Sequence, residues 1–150
     1  MLLGMIVAAA VAAEAPPAER AKIFRAAGFQ QRRGRWESCG DPGTAAYEPG
    51  RIEQYGDVNG DGRPEAVVTE GSSYCFGNTG TGFALVTRSA AGAWRKLHVS
   101  EGVATFLKTR ANGWPELEVG GPGFCFPVLR WNGKAFVNHR FAYSGKRCTP

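Results

Sequence analysis

An internal repeat organises this sequence. Asn59-Gly60-Asp61-Gly62-Arg63-Pro64-Glu65-Ala66-Val67-Val68 aligns with Arg110-Ala111-Asn112-Gly113-Trp114-Pro115-Glu116-Leu117-Glu118-Val119. Each copy then runs through glycine to a cysteine flanked by aromatics, Tyr74-Cys75-Phe76 and Phe124-Cys125-Phe126. The offset is about fifty residues, from Gly62 to Gly113 and from Cys75 to Cys125. A period of that length fits one four-stranded, blade-like sheet per copy. Two such units cannot close a propeller, which takes roughly 4–8 blades, so they are expected to pack on each other. The predicted fold is therefore mainly β: two propeller-blade-like antiparallel sheet repeats, about 51–100 and 104–141, within a β domain over 35–150, with one N-terminal α-helix.

Short apolar runs broken by turn residues support this. They predict strands at Ile52–Asp57, Glu65–Thr69, Phe83–Arg88, Trp94–Val99, Ala104–Arg110, Glu116–Val119, Pro127–Trp131 and Ala135–Phe141, and a first strand over Arg35–Cys39. Ala90-Ala91-Gly92-Ala93 and Asn132-Gly133-Lys134 have hairpin-turn chemistry. The helix is predicted over Ala18–Ala27, with Ile23, Phe24 and Ala27 as its apolar side, Pro17 at its start and Gly28 at its stop. Residues 14–34 then form a helix and basic linker.

Residues 1–13 are an apolar run ending Val11-Ala12-Ala13, too short for a membrane span of roughly 20 residues but suited to a signal peptide. The four cysteines, Cys39, Cys75, Cys125 and Cys148, include no Cys-x-x-Cys pair, which argues against zinc or thioredoxin-like chemistry. An even count with wide spacing behind an export signal predicts two disulfides in an oxidising compartment. Three pairings are open; proximity along the chain favours Cys39–Cys75 with Cys125–Cys148.

Asp57-Val58-Asn59-Gly60-Asp61-Gly62-Arg63-Pro64-Glu65 is the stretch that carries chemistry. Alternate spacing turns Asp57, Asn59 and Asp61 into one concave turn, and Gly62 permits the reversal. Arg63 is read as giving its carbonyl inward while its side chain leaves. Pro64 biases Arg63 toward extended geometry, and Glu65 returns a carboxylate from the next strand. This is an all-oxygen set of the kind calcium prefers. It is not an EF-hand, because Val68 stands where the bidentate glutamate would be. In the second copy Lys108, Arg110 and Asn112 replace Asp57, Asn59 and Asp61, so that turn is expected to bind no metal.

The loop resembles the Asp-x-Asn-x-Asp-Gly-x-x-Glu element of FG-GAP/VCBS-type repeats, and the span from about Arg51 to Phe141 is similar to small exported bacterial proteins of that type. The resemblance implies a calcium-stabilised β-blade fold and no particular activity.

The remaining residues carry little catalytic signal. His98 and His139 are far apart in sequence, Ser72, Ser73 and Ser144 have no Gly-x-Ser-x-Gly context, and Gly77–Gly82 lacks the lysine of a phosphate-binding loop. The net charge of +5 is scattered, and its densest group, Gln30-Gln31-Arg32-Arg33-Gly34-Arg35, falls short of a nucleic-acid footprint. Tyr74, Phe76, Phe124 and Phe126 are candidates for lining a groove between the units, for sugar or peptide. The reading is an exported, periplasmic or secreted, calcium-stabilised binding or structural module whose partner is a protein or envelope polymer. The alternatives are an inhibitor or immunity-type protein acting on an envelope enzyme, and a small hydrolase.

Overall fold

The computed structural model describes residues 14–150; the predicted signal peptide, 1–13, lies outside the described residues. Helix α1 spans Pro17–Ala26. It ends because Gly28 takes a left-handed φ of 92°, which lets the Phe29 N–H reach back to the Phe24 carbonyl. Strands β1 (Gln30–Arg32) and β2 (Arg35–Glu37) follow as a small hairpin. The segment read as a basic linker is thus partly β structure, turning at Arg33 and Gly34, both with positive φ.

Four antiparallel strands then form a meander: β3 (Glu48–Gly56), β4 (Glu65–Gly71), β5 (Thr81–Arg88) and β6 (Trp94–Glu101). A short helix α2 (Ser73–Phe76), capped by the Ser72 hydroxyl, and a 3-10 turn (Gly77–Thr79) fill the connection between β4 and β5. The second meander is β7 (Val103–Ala111), β8 (Trp114–Gly120), β9 (Phe126–Trp131) and β10 (Phe136–Tyr143), with the short β11 (Lys146–Arg147) added at its edge. Each repeat is therefore one antiparallel sheet, and the repeated Asn/Asp-Gly turn joins the first two strands in both. Gly102 alone links the sheets. Its φ is 119°, and a Cβ there would stand 2.4 Å from the Gly120 carbonyl oxygen, so the crossing requires glycine.

Two apolar clusters hold the layers. Between the sheets, Val67, Phe83 and Leu85 meet Leu117, Val119, Leu129, Trp131 and Phe136. On the far side of the first sheet, Ala66, Val68, Ala84 and Val86 meet Ile23, Phe24 and Ala27 of α1, with Phe29. Burial on both faces explains why β4 and β5 read as unbroken apolar runs. The repeat alignment pairs Val67 with Glu118 and Val68 with Val119. The first copy thus presents its Glu65/Val67 face to the interface, and the second presents the face equivalent to Ala66/Val68. The copies stack head to tail, and α1 covers the free face of the first.

The second sheet's outer face carries Glu116, 2% exposed, between Arg140 at 2.7 Å and Arg130 at 3.3 Å. Burial pushes this carboxyl up, but hydrogen bonds from Thr109 and Arg140 and the two guanidinium charges outweigh it and hold it below the usual carboxylate range. A depressed folded-state value means that the stabilisation is complete above the range of an unfolded glutamate and is lost as the pH falls through the folded value. Arg140→Ala is expected to cost about 2–3 kcal/mol at neutral pH, the scale of a hydrogen bond to a charged group. Urea titrations at falling pH check this; the penalty should shrink once the pH drops below the ordinary glutamate value of about 4.5.

Both predicted disulfides form. Cys39 joins Cys75, and Cys125 joins Cys148, with Cα separations of 6.0 and 5.7 Å. The first ties the segment between β2 and β3 to α2. The same segment hangs from buried Glu70, which accepts from the Ser38 and Cys39 N–H groups and the Tyr47 hydroxyl. Asp41 adds a bond from the Ser72 hydroxyl. Burial works against the Asp41 charge, but this bond and those from Thr44 and Gly43 bring its pKa down to about 2. No helix among the described residues is long and apolar enough to cross a membrane.

Candidate metal centre

The loop between β3 and β4 brings Asp57, Asp61 and Glu65 together, with one oxygen of each within 4.8 Å of the others. Glu65 is fully buried at the start of β4, whereas Asp57 and Asp61 are exposed. The alternation of β4 puts Glu65 on the same face as Val67, toward the second sheet, and the Thr87 hydroxyl of β5 donates to its Oε2 at 2.7 Å.

Hydrogen bonds to the loop backbone aim the carboxylates. Asp57 accepts from the Gly60 and Gly62 N–H groups through its two oxygens, both at 2.8 Å. Asp61 Oδ1 accepts from the Arg63 N–H at 2.8 Å, and Asn59 Oδ1 from the Asp61 N–H at 3.1 Å. Glu65 Oε1 accepts from the Val58 N–H at 2.9 Å. Gly60 and Gly62 take φ of 78° and 83°, which only glycine adopts without strain and which curl the chain around the carboxylates. A carboxylate offers about four lone-pair sites, so these bonds orient the oxygens without exhausting them.

Burial raises the Glu65 carboxyl above its ordinary range, against the hydrogen bonds from Thr87, Val58 and Asn59, and the Asp61 charge raises it further. The crowding of negative charge is what a cation would relieve. The donors are all oxygen, and the three carboxylates can hold a metal ion.

Arg63 departs from the sequence reading. Its side chain does not leave the loop: Nη2 lies 3.1 Å from Asp61 Oδ2, and Nε donates to the Arg88 carbonyl. The guanidinium folds back because its partner carboxylate stands two residues away and the β5 carbonyl completes its bonding. A cation taking Asp61 Oδ2 would compete with it.

Arg110, the counterpart of Asn59, shows what the second copy does instead. Its Nη2 donates to the Gly113 carbonyl of its own turn and, at 3.2 Å, to the Asn59 carbonyl of the first loop. The cation that spoils the second loop as a metal cage thus braces the first. Sequence reasoning sees the substitution but carries no signal for the contact. Glu116, the carboxylate the second copy retains, points to the opposite face of its sheet and pairs with arginines.

The four aromatics beside the cysteines divide. Phe76 lines a cleft of about 260 Å³ with Phe29, Glu70 and Val99, and its ring lies over Gly82. Phe124 and Phe126 pack around Tyr143, with centroids at 6.3 and 5.8 Å. Tyr74 is 66% exposed. His98 sits half-buried between Phe83 and Phe136, and burial lowers its pKa; His139 is exposed on β10.

Comparison with protein-family models, with curated proteins and with solved structures gives no match. What the loop can do follows from its own chemistry.

Proposed function

We propose that this chain is an exported, calcium-stabilised module of two FG-GAP/VCBS-type, blade-like repeats that binds a protein or polymer of the cell envelope. One observation carries the reading: Asp57, Asp61 and Glu65 converge within 4.8 Å on the turn that starts β4, a strand that contributes side chains to both apolar clusters. A hard cation there would tie the exposed turn to the core. Calcium fits such a set best, because it accepts several carboxylate and carbonyl oxygens in flexible geometry. Two disulfides support an oxidising compartment, as expected behind a signal peptide. The head-to-tail contact of the sheets supports the blade-like reading, with α1 standing where a preceding blade would stack.

Thermal melting of the oxidised protein tests this. Calcium at a hundredfold excess over Kd adds about 2.7 kcal/mol to a protein that binds it only when folded. For a domain of this size that raises Tm by roughly 8 °C, and chelator should reverse it. Asp61→Ala should show no response. If wild type and variant respond alike to calcium, the assignment is wrong.

A further inference from the structure

Ile23, Phe24 and Ala27 pack against Val68, Ala84 and Val86 of the first sheet. The next row along that face differs in kind. Glu70, Gly82 and Glu101 stand directly opposite one another on β4, β5 and β6, and alternation puts them on the same side as Val68 and Ala84. Gly82 leaves the middle of the row without a side chain, and the Phe76 ring fills it; a Cβ there would meet that ring at 2.6 Å. Beside the ring lies the cleft of about 260 Å³, walled also by Ala27, Phe29, Ala84 and Val99. Val99 is 56% exposed on β6, the edge strand, so the cleft opens there.

The charged groups that line this cleft are both carboxylates, Glu70 and Glu101, in a chain whose net charge is +5. Glu70 is 3% exposed and accepts from neutral donors, the Ser38 and Cys39 N–H groups and the Tyr47 hydroxyl. Its Oε2 takes a single one of these bonds, from Cys39, and keeps a free lone-pair site. Glu101 is exposed at the mouth. Neither carboxylate is ion-paired among the described residues. Lys96, on the same face of β6, lies instead near Gly28 at the end of α1. Apolar walls thus enclose negative charge that no cation of the chain answers.

We propose that this cleft binds a small organic cation, an aromatic ring carrying an ammonium group on a short arm. An apolar cavity of about 150 Å³ accepts benzene, so this volume has room for one ring and its arm. The ring packs on Ala84 and Val99, and the ammonium sits beside Phe76, where the ring quadrupole and both carboxylates attract it. A bare metal ion asks for a shell of six or more oxygens, which walls of this composition do not offer. An anion of the same shape meets two like charges, and a neutral one gains the apolar surface alone. The inference does not rest on the calcium loop. That loop joins β3 to the start of β4, whereas Glu70 lies at the far end of β4.

Titrating phenethylamine into the isotope-labelled, oxidised full chain and following its backbone amides by NMR tests this. Saturable shifts should centre on Gly82, Val99 and Glu101 and weaken as salt rises. The neutral isostere 2-phenylethanol should bind at least tenfold more weakly, and phenylacetate not at all. Glu70→Gln should weaken amine binding at least tenfold, and Glu101→Gln, at the exposed mouth, about threefold. Val99→Trp narrows the mouth from an exposed position and should cost at least tenfold with an unchanged melting transition, so the test holds even where Glu70→Gln fails to fold. Glu53→Gln removes a carboxylate from β3 and should bind as wild type. Chelator should leave binding unchanged, which separates this result from the calcium response. Absence of saturable shifts, shifts centred elsewhere, equal binding of 2-phenylethanol, or undiminished binding in Val99→Trp would each overturn the proposal.

Discussion

Replacing Cys39 and Cys75 together by serine is expected to lower the unfolding free energy by roughly 4 kcal/mol, and Tm by roughly 12 °C. The two residues are 36 apart in sequence, so the bridge closes a longer loop than Cys125–Cys148, at 23. The chain-entropy cost follows that length and gives roughly 3.5 kcal/mol for the shorter one. Position strengthens the argument. The segment from Ser38 to Tyr47 contributes nothing to either apolar cluster. It is held by the disulfide, by the Glu70 carboxylate and by the Asp41–Ser72 bond. Urea titration of the oxidised variant measures the effect, and its slope should rise because the unfolded chain is more open. A loss below about 1 kcal/mol would show that Glu70 and Asp41 hold the segment without the bridge.

Glu65→Ala is expected to abolish calcium stabilisation and to cost roughly 3 kcal/mol in chelator as well. The second loss arises because the Val58 N–H and the Thr87 hydroxyl lose a buried acceptor, at about 1–3 kcal/mol for each unsatisfied group. Glu65→Gln separates the two roles. Its amide oxygen still accepts from Val58, and burial no longer works against a charge, so in chelator it should unfold within about 1 kcal/mol of wild type. It should nonetheless have lost the calcium response. Denaturant titrations with calcium and with chelator distinguish these outcomes. A fully calcium-responsive Glu65→Gln protein would remove Glu65 from the ligand set.

What the sequence reveals and what it hides have physical causes. The strands are legible because apolar runs at regular spacing, cut by glycine turns, leave little choice of period. Ile23, Phe24 and Ala27 mark the helix face, and all three are buried where expected. Proximity along the chain favours the disulfide pairing found here, and each bridge joins two segments that flank strands of one sheet. Of the β1–β2 hairpin, β2 is legible within the strand expected over Arg35–Cys39, but β1 and the pairing are not. All three residues of β1 are exposed, the stretch shows no alternation, and it reads as a run of arginines; in β2 only Arg35 is exposed. The short helix α2 is likewise hidden, since four residues cannot show a helical period.

In the loop, sequence places the carboxylates correctly but sends Arg63 the wrong way. A side chain's direction depends on the Arg88 carbonyl, which β5 brings from 25 residues away. The role of Glu70 is invisible for the same reason, because its partners Ser38 and Cys39 are more than thirty residues distant. Glu116 looks like a retained ligand in the alignment. Only the choice of interface face, set by packing, turns it toward Arg130 and Arg140.

Crystals of the oxidised protein grown with calcium, measured for anomalous scattering, decide whether the β3–β4 loop holds a calcium ion. One strong peak is expected, bounded by Asp57, Asp61 and Glu65, with oxygen distances of roughly 2.3–2.6 Å and the Arg63 guanidinium displaced from Asp61. A loop without a peak, with Arg63 still paired to Asp61, would contradict it.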